Sequence, residues 1–306
     1  MSSTNSSLPS FILMGIFGTN DEHVWLSIPL CVSYSFSLIG NSLIIFIVKA
    51  DMQLQEPMYF LLSMLAATDL GMTLITLPTV LGVLWFEFRT MNFNVCLTQM
   101  YFIHSLTATG SAILVAMAFD RYVAICNPLR YASILHPMIS KIGLVVLGRG
   151  VIIMLPQPFL LTRLDYCGNK KLHHAFCFFP DLMKLACTDI TINNIYGLFT
   201  VILTFCLDSV TILFSYLMIL KTLLTSASKE KSLKAFSTCA SHISVVLIFY
   251  IPLIGLTMAH RYAKNASPLL PLAMGFVYLC IPQTLNPIIY SMKTKQIRNA
   301  LRKQLF

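Results

Sequence analysis

The sequence predicts an all-α membrane protein, a seven-transmembrane helix bundle followed by a short amphipathic C-terminal helix. Of its 306 residues, 57% are hydrophobic and only 11% are charged, whereas soluble domains usually carry about 25% charged residues. Seven apolar stretches also reach the roughly 20 residues that a helix needs to cross a bilayer. These stretches lie near residues 25–48, 57–85, 96–120, 139–161, 195–221, 234–258 and 269–291.

The distribution of basic residues predicts the orientation of the bundle. With the amino terminus outside, the inner segments hold thirteen Lys and Arg residues and the outer segments hold seven. An excess of basic residues marks the cytoplasmic side of a membrane protein. We therefore expect an extracellular tail over residues 1–24, the seven-helix domain over 25–291 and a cytoplasmic tail over 292–306. The distribution of the basic residues decides how the net charge of +9 is interpreted, and no nucleic-acid partner is expected. Anionic membrane lipid is one of the contacts expected for the basic inner loop 229–234.

Each tail carries a local signal. Asn5 opens an Asn-Ser-Ser triplet, which is a glycosylation acceptor on the predicted outer side. Ile297, Leu301 and Leu305 recur at intervals of four in the basic C-terminal tail, which is the spacing of one helix face. That tail is therefore predicted to form a short amphipathic helix on the membrane surface.

Four of the nine cysteines fall in predicted outer segments, where disulfides persist. They are Cys96, Cys167, Cys177 and Cys187. Four cysteines allow three pairings, and the sequence alone does not choose among them. The spacing does not suit a zinc site and no CxxC pair occurs, so neither a metal nor a cofactor is expected.

Residues 117–126, with the sequence MAFDRYVAIC, hold the most informative charges. Asp120 and Arg121 follow a long apolar run, and charges at the edge of hydrocarbon are costly unless they are paired or reach water. We interpret Asp120, Arg121 and Tyr122 as a switch element that closes the third helix at its cytoplasmic end. The alternative is a charge pair that only marks the membrane surface.

Several polar residues lie at membrane depth. Asn41, Asp69 and Asn286 belong to three different helices, and each would be costly without a partner, so we expect them to converge on one network. The alternative is that they only join neighbouring helices.

Arg149 and Asp208 are ionisable groups inside spans. Their charges allow a pair, but the sequence does not show how deep they lie or whether their helices are adjacent.

Further segments, taken together with residues 117–126, resemble the olfactory receptors, a family of rhodopsin-like G-protein-coupled receptors. They are GN at 40–41, PMYFL at 57–61, LAATD at 65–69, KAFSTC at 234–239 with SH at 241–242, and NPIIY at 286–290. The triplets FIH at 102–104 and AHR at 259–261 are similar to the class I, or fish-like, members. The resemblance covers residues 11 to 301.

The resemblance implies roles that spacing alone does not give. It implies disulfides Cys96–Cys177 and Cys167–Cys187, a hydrated cluster at Asn41, Asp69 and Asn286 that rearranges on activation, and a G-protein switch at Asp120, Arg121, Tyr122 and Tyr290. It also implies an odorant as ligand, a heterotrimeric G protein of the stimulatory, olfactory type as partner, cyclic AMP as the signal and the plasma membrane as the location.

The ligand site is expected in the outer half of the bundle, under the second outer loop. His104, Thr107 and Ser111 share one face of the third helix at helical spacing. Arg261 lies about one turn beyond the apolar run of the sixth helix, with Thr257 one turn inward. An Arg at the mouth of an apolar pocket can grip a carboxylate with two hydrogen bonds.

These residues predict that the ligand is a small carboxylic acid or a similar polar volatile, held by Arg261 and His104. The alternative is that Arg261 faces water or pairs with Asp181 or Asp189. Four further residues are expected to form the wall of the pocket and to set its size: Met154, Gln157, Val201 and Tyr250.

The predicted function is that of an odorant receptor. The alternative, a seven-span transporter or channel, predicts ionisable residues along a continuous path and often inverted repeats, and no repeat is visible. A membrane enzyme would carry a catalytic cluster such as HExxH or GxSxG. Neither motif occurs, so no enzymatic activity is expected.

Overall fold

The computed structural model confirms the predicted seven-helix bundle. It describes residues 10–14, 20–86, 88–167, 170–225, 229–262 and 269–305. Within these ranges it omits the side chains of residues 20–26, 229–235, 237–238, 260–262, 269, 271, 293, 295 and 305. Seven helices in this part of the chain are long and apolar enough to cross a membrane. The predicted glycosylation site, Asn5, lies outside the described residues.

The spans, numbered in chain order, agree closely with the apolar stretches. Spans one to three are Asn20–Ala50, Pro57–Trp85 and Phe93–Cys126. Span four consists of Ile139–Met154 and Pro156–Thr162, and span five of Thr191–Val201, a π-helical turn Ile202–Cys206, and Leu207–Thr225. Spans six and seven are Lys229–Tyr262 and Leu269–Lys293.

Shorter elements connect and flank the spans. The strands are β1 (Ser10–Leu13), β2 (Thr90–Asn92) and β3 (Lys171–Leu172). Short helical pieces are Met52–Leu54, Pro128–Arg130, Tyr131–Leu135 and Phe179–Lys184, the last of which we name the loop helix. The C-terminal helix is Lys295–Leu305.

The end of span three and the break in span four each have a physical reason. Span three does not close at Asp120 but continues to Cys126. It ends there because Pro128 disfavours a helical conformation for the preceding residue, Asn127. Span four is interrupted at Leu155 because Pro156 lacks the amide hydrogen that a continuous helix needs.

Strands from three distant parts of the chain form a small sheet at one end of the bundle. β1 pairs antiparallel with β2 and parallel with β3. Phe11 and Leu13 of β1 are fully buried. The ring centroid of Phe11 lies 5.8 Å from that of Phe93, where span three begins, and 5.3 Å from that of Tyr166. The segment predicted as a tail therefore packs against the loops.

Two disulfides fasten the same end, which we name the capped end. Cys96, in the first turn of span three, is bonded to Cys177, with Cα atoms 5.4 Å apart. Cys167 is bonded to Cys187, with Cα atoms 5.8 Å apart. This is the pairing that the resemblance implies. The first bond holds the residues just before the loop helix close to span three.

The opposite, open end carries the C-terminal helix. Ile297 and Ala300 are almost fully buried, and the helix packs against spans one and seven. Leu301, from the predicted apolar face, is half-buried. The apolar side of this helix is therefore covered partly by the bundle itself.

Span three forms the centre of the bundle, and the other spans expose apolar surface. In its most apolar stretch 72% of span three is buried, against 22% for span five. Large apolar side chains such as Phe46, Leu144 and Phe214 are exposed. Helices that are apolar on their outer faces are suited to a lipid environment, where every backbone polar group is satisfied within the helix.

Span four approaches span three most closely at Gly150. A Cβ atom at this position would lie 2.8 Å from the carbonyl oxygen of Ser105 and 3.0 Å from the backbone nitrogen of Thr109. Backbone atoms of a helix cannot rotate out of the way, so the approach requires glycine. At Gly148, two residues earlier in the same helix, an added Cβ would meet no heavy atom within 4 Å.

We predict that Gly150→Ala pushes spans three and four apart and lowers the free energy of unfolding by roughly 1–3 kcal/mol, as overpacking does. Gly148→Ala is the matched control and is expected to stabilise the helix by no more than about 1 kcal/mol. Thermal unfolding of the purified protein in detergent measures both variants. Equal midpoints would contradict the close approach at Gly150.

Candidate functional site

A cavity of about 490 Å³ lies at the capped end of the bundle. Spans three to seven form its walls, and the loop helix covers it. Its volume is within the usual range for small-molecule sites. The residues that line it are His104, Thr107, Met154, Gln157, Phe178, Phe179, Pro180, Met183, Lys184, Ile190, Asn194, Gly197, Thr200, Val201, Phe205, Leu253, Thr257 and Tyr278.

Three of the five residues predicted to contact the ligand belong to this lining, His104, Thr107 and Thr257, and so do the predicted wall residues Gln157 and Val201. Met154, predicted as a wall residue, also lines the cavity. Ser111 is placed one turn below Thr107, outside the lining. The side chain of Arg261 lies outside the described residues, and its backbone belongs to the last turn of span six, one turn beyond Thr257.

The two carboxylates considered as partners of Arg261 each have another contact. Asp181 is buried, and its carboxylate oxygen lies 3.5 Å from Nε2 of His174. Asp189 accepts hydrogen bonds from the hydroxyl of Thr191 at 2.6 Å and from the backbone N–H of Thr191 at 2.9 Å. These bonds lower the pKa of the Asp189 carboxyl.

Aromatic rings surround His104 at the cavity wall. The ring of Phe178 stacks on the imidazole at a centroid distance of 5.6 Å, and that of Phe179 meets it edge-on at 6.4 Å. One turn below, the hydroxyl of Thr107 lies 2.5 Å from that of Tyr278 on span seven. The cavity therefore combines an apolar, aromatic surface with a few polar groups that can orient a small ligand.

The sequence analysis expected the second outer loop above the site but did not identify the residues of that loop that line the cavity. Phe178, Phe179, Met183 and Lys184 line it, but nothing in the loop sequence shows their depth. The signal that could have found them is the Cys96–Cys177 bond, because it holds the residues after Cys177 close to span three. Lys184 brings a cation to the rim of the cavity and is exposed.

Span five adds a second group that the sequence analysis missed. Asn194, Gly197 and Thr200 line the cavity together with the predicted Val201. Residues three apart on a helix share a face, and Asn194, Gly197 and Thr200 have this spacing. The spacing could have been recognised once the neighbouring Val201 was assigned to the wall.

Below the cavity, Arg149 of span four forms an ion pair with Asp208 of span five. One guanidinium nitrogen lies 3.0 Å from a carboxylate oxygen and the other lies 2.8 Å from the second oxygen. Asp208 is almost fully buried. The pair that charge alone allowed is thus present in the structure, and Arg149 and Asp208 neutralise each other at membrane depth.

The same ion pair is joined to spans three and six. The Ser111 hydroxyl lies 2.7 Å from the Asp208 carboxylate and 2.8 Å from the hydroxyl of Tyr250. Tyr250, predicted as a wall residue, therefore lies in this network rather than in the cavity lining. We name these four residues, Ser111, Arg149, Asp208 and Tyr250, the central network.

The π-helical turn of span five supplies acceptors to this network. Arg149 donates to the carbonyl of Leu203 at 2.9 Å, and Ser111 lies 2.8 Å from the carbonyl of Thr204. Both carbonyls belong to the turn Ile202–Cys206. A π-helical turn displaces the regular hydrogen-bond pattern, and here side chains from neighbouring spans use carbonyls that it presents.

A chain of hydrogen bonds connects the three predicted polar-core residues, Asn41, Asp69 and Asn286. The Asn286 amide donates to the Asp69 carboxylate at 2.8 Å. Asn41 donates to the carbonyls of Ser37 and Gln283, both at 2.9 Å. The Ser37 hydroxyl lies 2.6 Å from that of Thr73, which donates to the Asp69 carbonyl at 2.8 Å. Asn41 thus reaches Asp69 through intermediates rather than directly.

At the open end, Asp120 and Arg121 form an ion pair of 3.0 Å. The hydroxyl of Tyr131 donates to the other carboxylate oxygen of Asp120 at 2.9 Å, and Arg121 also contacts the sulfur of Met58. Burial and the neighbouring Asp120 raise the pKa of the Tyr131 phenol, so it remains a donor at neutral pH.

The other two switch residues lie apart from this ion pair. The Tyr122 ring lies 6.5 Å from that of Phe119. Tyr290 of span seven is fully buried, with its hydroxyl 3.9 Å from the sulfur of Met117 on span three. The structure therefore joins Asp120 to Arg121 and places Tyr290 deeper in the bundle.

Among the described residues, no group of three or more His, Cys, Asp and Glu side chains could hold a metal ion. The polar groups of the cavity are instead hydroxyls, amides, one imidazole and one rim ammonium. This set can bind and orient a small polar molecule.

Comparisons with known proteins agree with this architecture. The family model described as olfactory receptor matches residues 30–306. Olfactory receptor 51G2 of Homo sapiens is 50% identical over 298 residues, which cover 97% of this chain and 95% of that protein. Olfactory receptor 51F2 of Homo sapiens is 50% identical over 296 residues, with coverages of 96% and 86%. Olfactory receptor 51E2 of Mus musculus is 47% identical over 299 residues, with coverages of 97% and 93%.

These relatives fit the predicted class I assignment. Family membership also excludes an enzyme and identifies a multi-pass membrane protein. On the seven-helix architecture, the family match and the identity along nearly the whole chain, this protein belongs to the olfactory receptor family.

Proposed function

We propose that this odorant receptor binds its ligand in the 490 Å³ cavity and activates a heterotrimeric G protein of the stimulatory, olfactory type, which raises cyclic AMP. The observation that carries the proposal is the position of the cavity directly above the central network. Thr107 lines the cavity, and Ser111, one turn below on the same span, contacts Tyr250 of span six.

In the proposed orientation the capped end is extracellular and the open end is cytoplasmic. The excess of basic residues on the inner segments supports it. The two disulfides at the capped end support it as well, because disulfides persist on the outer side of the plasma membrane. Residues 292–306 then form a cytoplasmic tail with its helix against the membrane surface.

The proposed ligand is a small carboxylic acid or a similar polar volatile. His104 presents an imidazole among aromatic rings, and the helix backbone puts Arg261 one turn beyond the cavity-lining Thr257. A guanidinium can hold a carboxylate with two hydrogen bonds. The apolar walls would receive the hydrocarbon part of the molecule.

Activation is proposed as a shift between two packings of the bundle. The ligand favours one packing by its greater affinity for it. Ser111 and Tyr250 would pass the change in the cavity to span six, whose inner end then moves outward. Arg121, held by Asp120 in this structure, would become free to contact the G protein.

Arg261→Ala is predicted to raise the half-maximal concentration for carboxylic acids by roughly 10- to 100-fold, because a charge-assisted hydrogen bond is lost. Matched alcohols and esters should change much less. A cyclic AMP reporter in cells with measured surface display gives both values. Arg163→Ala, which removes an exposed cation outside the cavity lining, is the matched control.

A response to alcohols or esters that ignores Arg261→Ala would retain the receptor and reject the carboxylate clamp. A ligand that binds the displayed receptor and changes its conformation without any rise in cyclic AMP would reject the proposed coupling.

The central network gives a second prediction, on stability. Arg149→Leu or Asp208→Leu alone leaves an uncompensated charge inside the bundle and is expected to cost about 3–5 kcal/mol. The double variant should cost at least about 2 kcal/mol less than the sum of the two. Thermal unfolding of the four proteins in detergent measures this coupling, and additive effects would show that the ion pair does not form in the membrane.

A further inference from the structure

Gln157 places an amide in a wall of the cavity that is otherwise built largely from apolar side chains. Its side chain is 3% exposed, and its Oε1 atom has no hydrogen-bond partner in the part of the chain that the structure describes. The residue lines the cavity from span four, beside Met154 one turn earlier. A buried amide oxygen without a partner is unfavourable, and an apolar side chain of the same length would avoid that cost.

His104 faces the same cavity from span three and is in a similar state. Its Nε2 atom is buried and has no hydrogen-bond partner among the described residues. Each of these side chains could satisfy the other if they were close enough, so the two atoms lie beyond hydrogen-bond distance of each other. Two residues of the cavity lining, on two spans, therefore each carry a buried polar atom without a partner among the described residues, and a bound molecule reaches these atoms only if the side chains beside them shift.

The chemistry of Gln157 restricts what can satisfy it. A carboxylate only accepts hydrogen bonds, so it can bind an imidazole N–H but cannot donate to the Gln157 oxygen. A hydroxyl both donates and accepts, so it serves the amide in either of its two orientations, whereas a carboxylate serves it only in the orientation that turns the NH2 group to the ligand. A hydrocarbon chain can serve neither His104 nor Gln157.

We propose that the cavity selects odorants that carry a hydroxyl group in addition to their anchoring polar end, such as short hydroxy acids. The hydroxyl binds Gln157, and the anchoring end lies toward His104. This inference rests on the proposed function, because it takes the cavity to be the odorant site. It adds the requirement that the ligand has two polar groups on different sides of an apolar body.

The test compares pairs of ligands that differ by one hydroxyl, in three series: carboxylic acids, esters and alcohols. Each pair is applied to wild type, Gln157→Leu and Met154→Leu in the cyclic AMP assay, at equal surface display. In wild type the hydroxylated member should be roughly three- to tenfold more potent than its partner, which is the effect of one neutral hydrogen bond. Gln157→Leu should abolish or reverse this preference.

Met154→Leu is the matched control, since it changes an apolar residue of the same wall and should leave the preference intact. Loss of the preference in both variants would show that wall shape decides it and would overturn the proposal. Equal potency of the two members in wild type would also overturn it. If the acids are inactive and the alcohol series shows a hydroxyl preference, the role of Gln157 is supported and the carboxylic-acid ligand is rejected. If the acids are active and show no hydroxyl preference, the carboxylic-acid ligand is supported and the role of Gln157 is rejected.

A second measurement applies even when no member of the panel activates the receptor. In the ligand-free protein, Gln157→Leu removes an amide oxygen that has no hydrogen-bond partner among the described residues, so the thermal unfolding midpoint should stay the same or rise. A clear fall, with Met154→Leu unchanged, would mean that the amide holds the bundle together, and the proposal would be rejected.

Discussion

Polar groups inside hydrocarbon must find partners within the bundle, and the Arg149–Asp208 ion pair shows how far this constraint reaches. The pair joins spans four and five, and Ser111 of span three contacts the same carboxylate. Because Ser111 also contacts Tyr250, four spans are tied to one set of contacts. Displacing span four or five would separate two charges at membrane depth, which is costly, and displacing span three or six would break the hydrogen bonds of Ser111.

The spans could be predicted because a bilayer imposes both their length and their composition. The ends of the spans could not be predicted in the same way, because a helix continues beyond the apolar stretch as long as its backbone hydrogen bonds continue. Span three therefore extends past Asp120 to Cys126. The helical period grouped His104 with Thr107, and both line the cavity. The same period included Ser111, but Asp208 from another span binds its hydroxyl, and no pattern within span three contains that information.

Contacts between distant segments depend on the packing of the whole bundle. Charge allowed an ion pair between Arg149 and Asp208, but only the adjacency of spans four and five forms it. The cover of the cavity is a similar case, because the depth of Phe178 and Phe179 follows from where Cys177 is attached. Sequence patterns describe one element at a time, and these features each need two.

The sheet at the capped end has a consequence for how the protein is made. Strand β1 emerges first during synthesis, but its partners β2 and β3 follow spans two and four. Phe11 and Leu13, buried in the finished protein, are therefore only partly covered until residue 172 has been synthesised and has reached the same side of the membrane. Throughout that interval the amino-terminal strand is an apolar segment within reach of any factor that escorts the nascent chain.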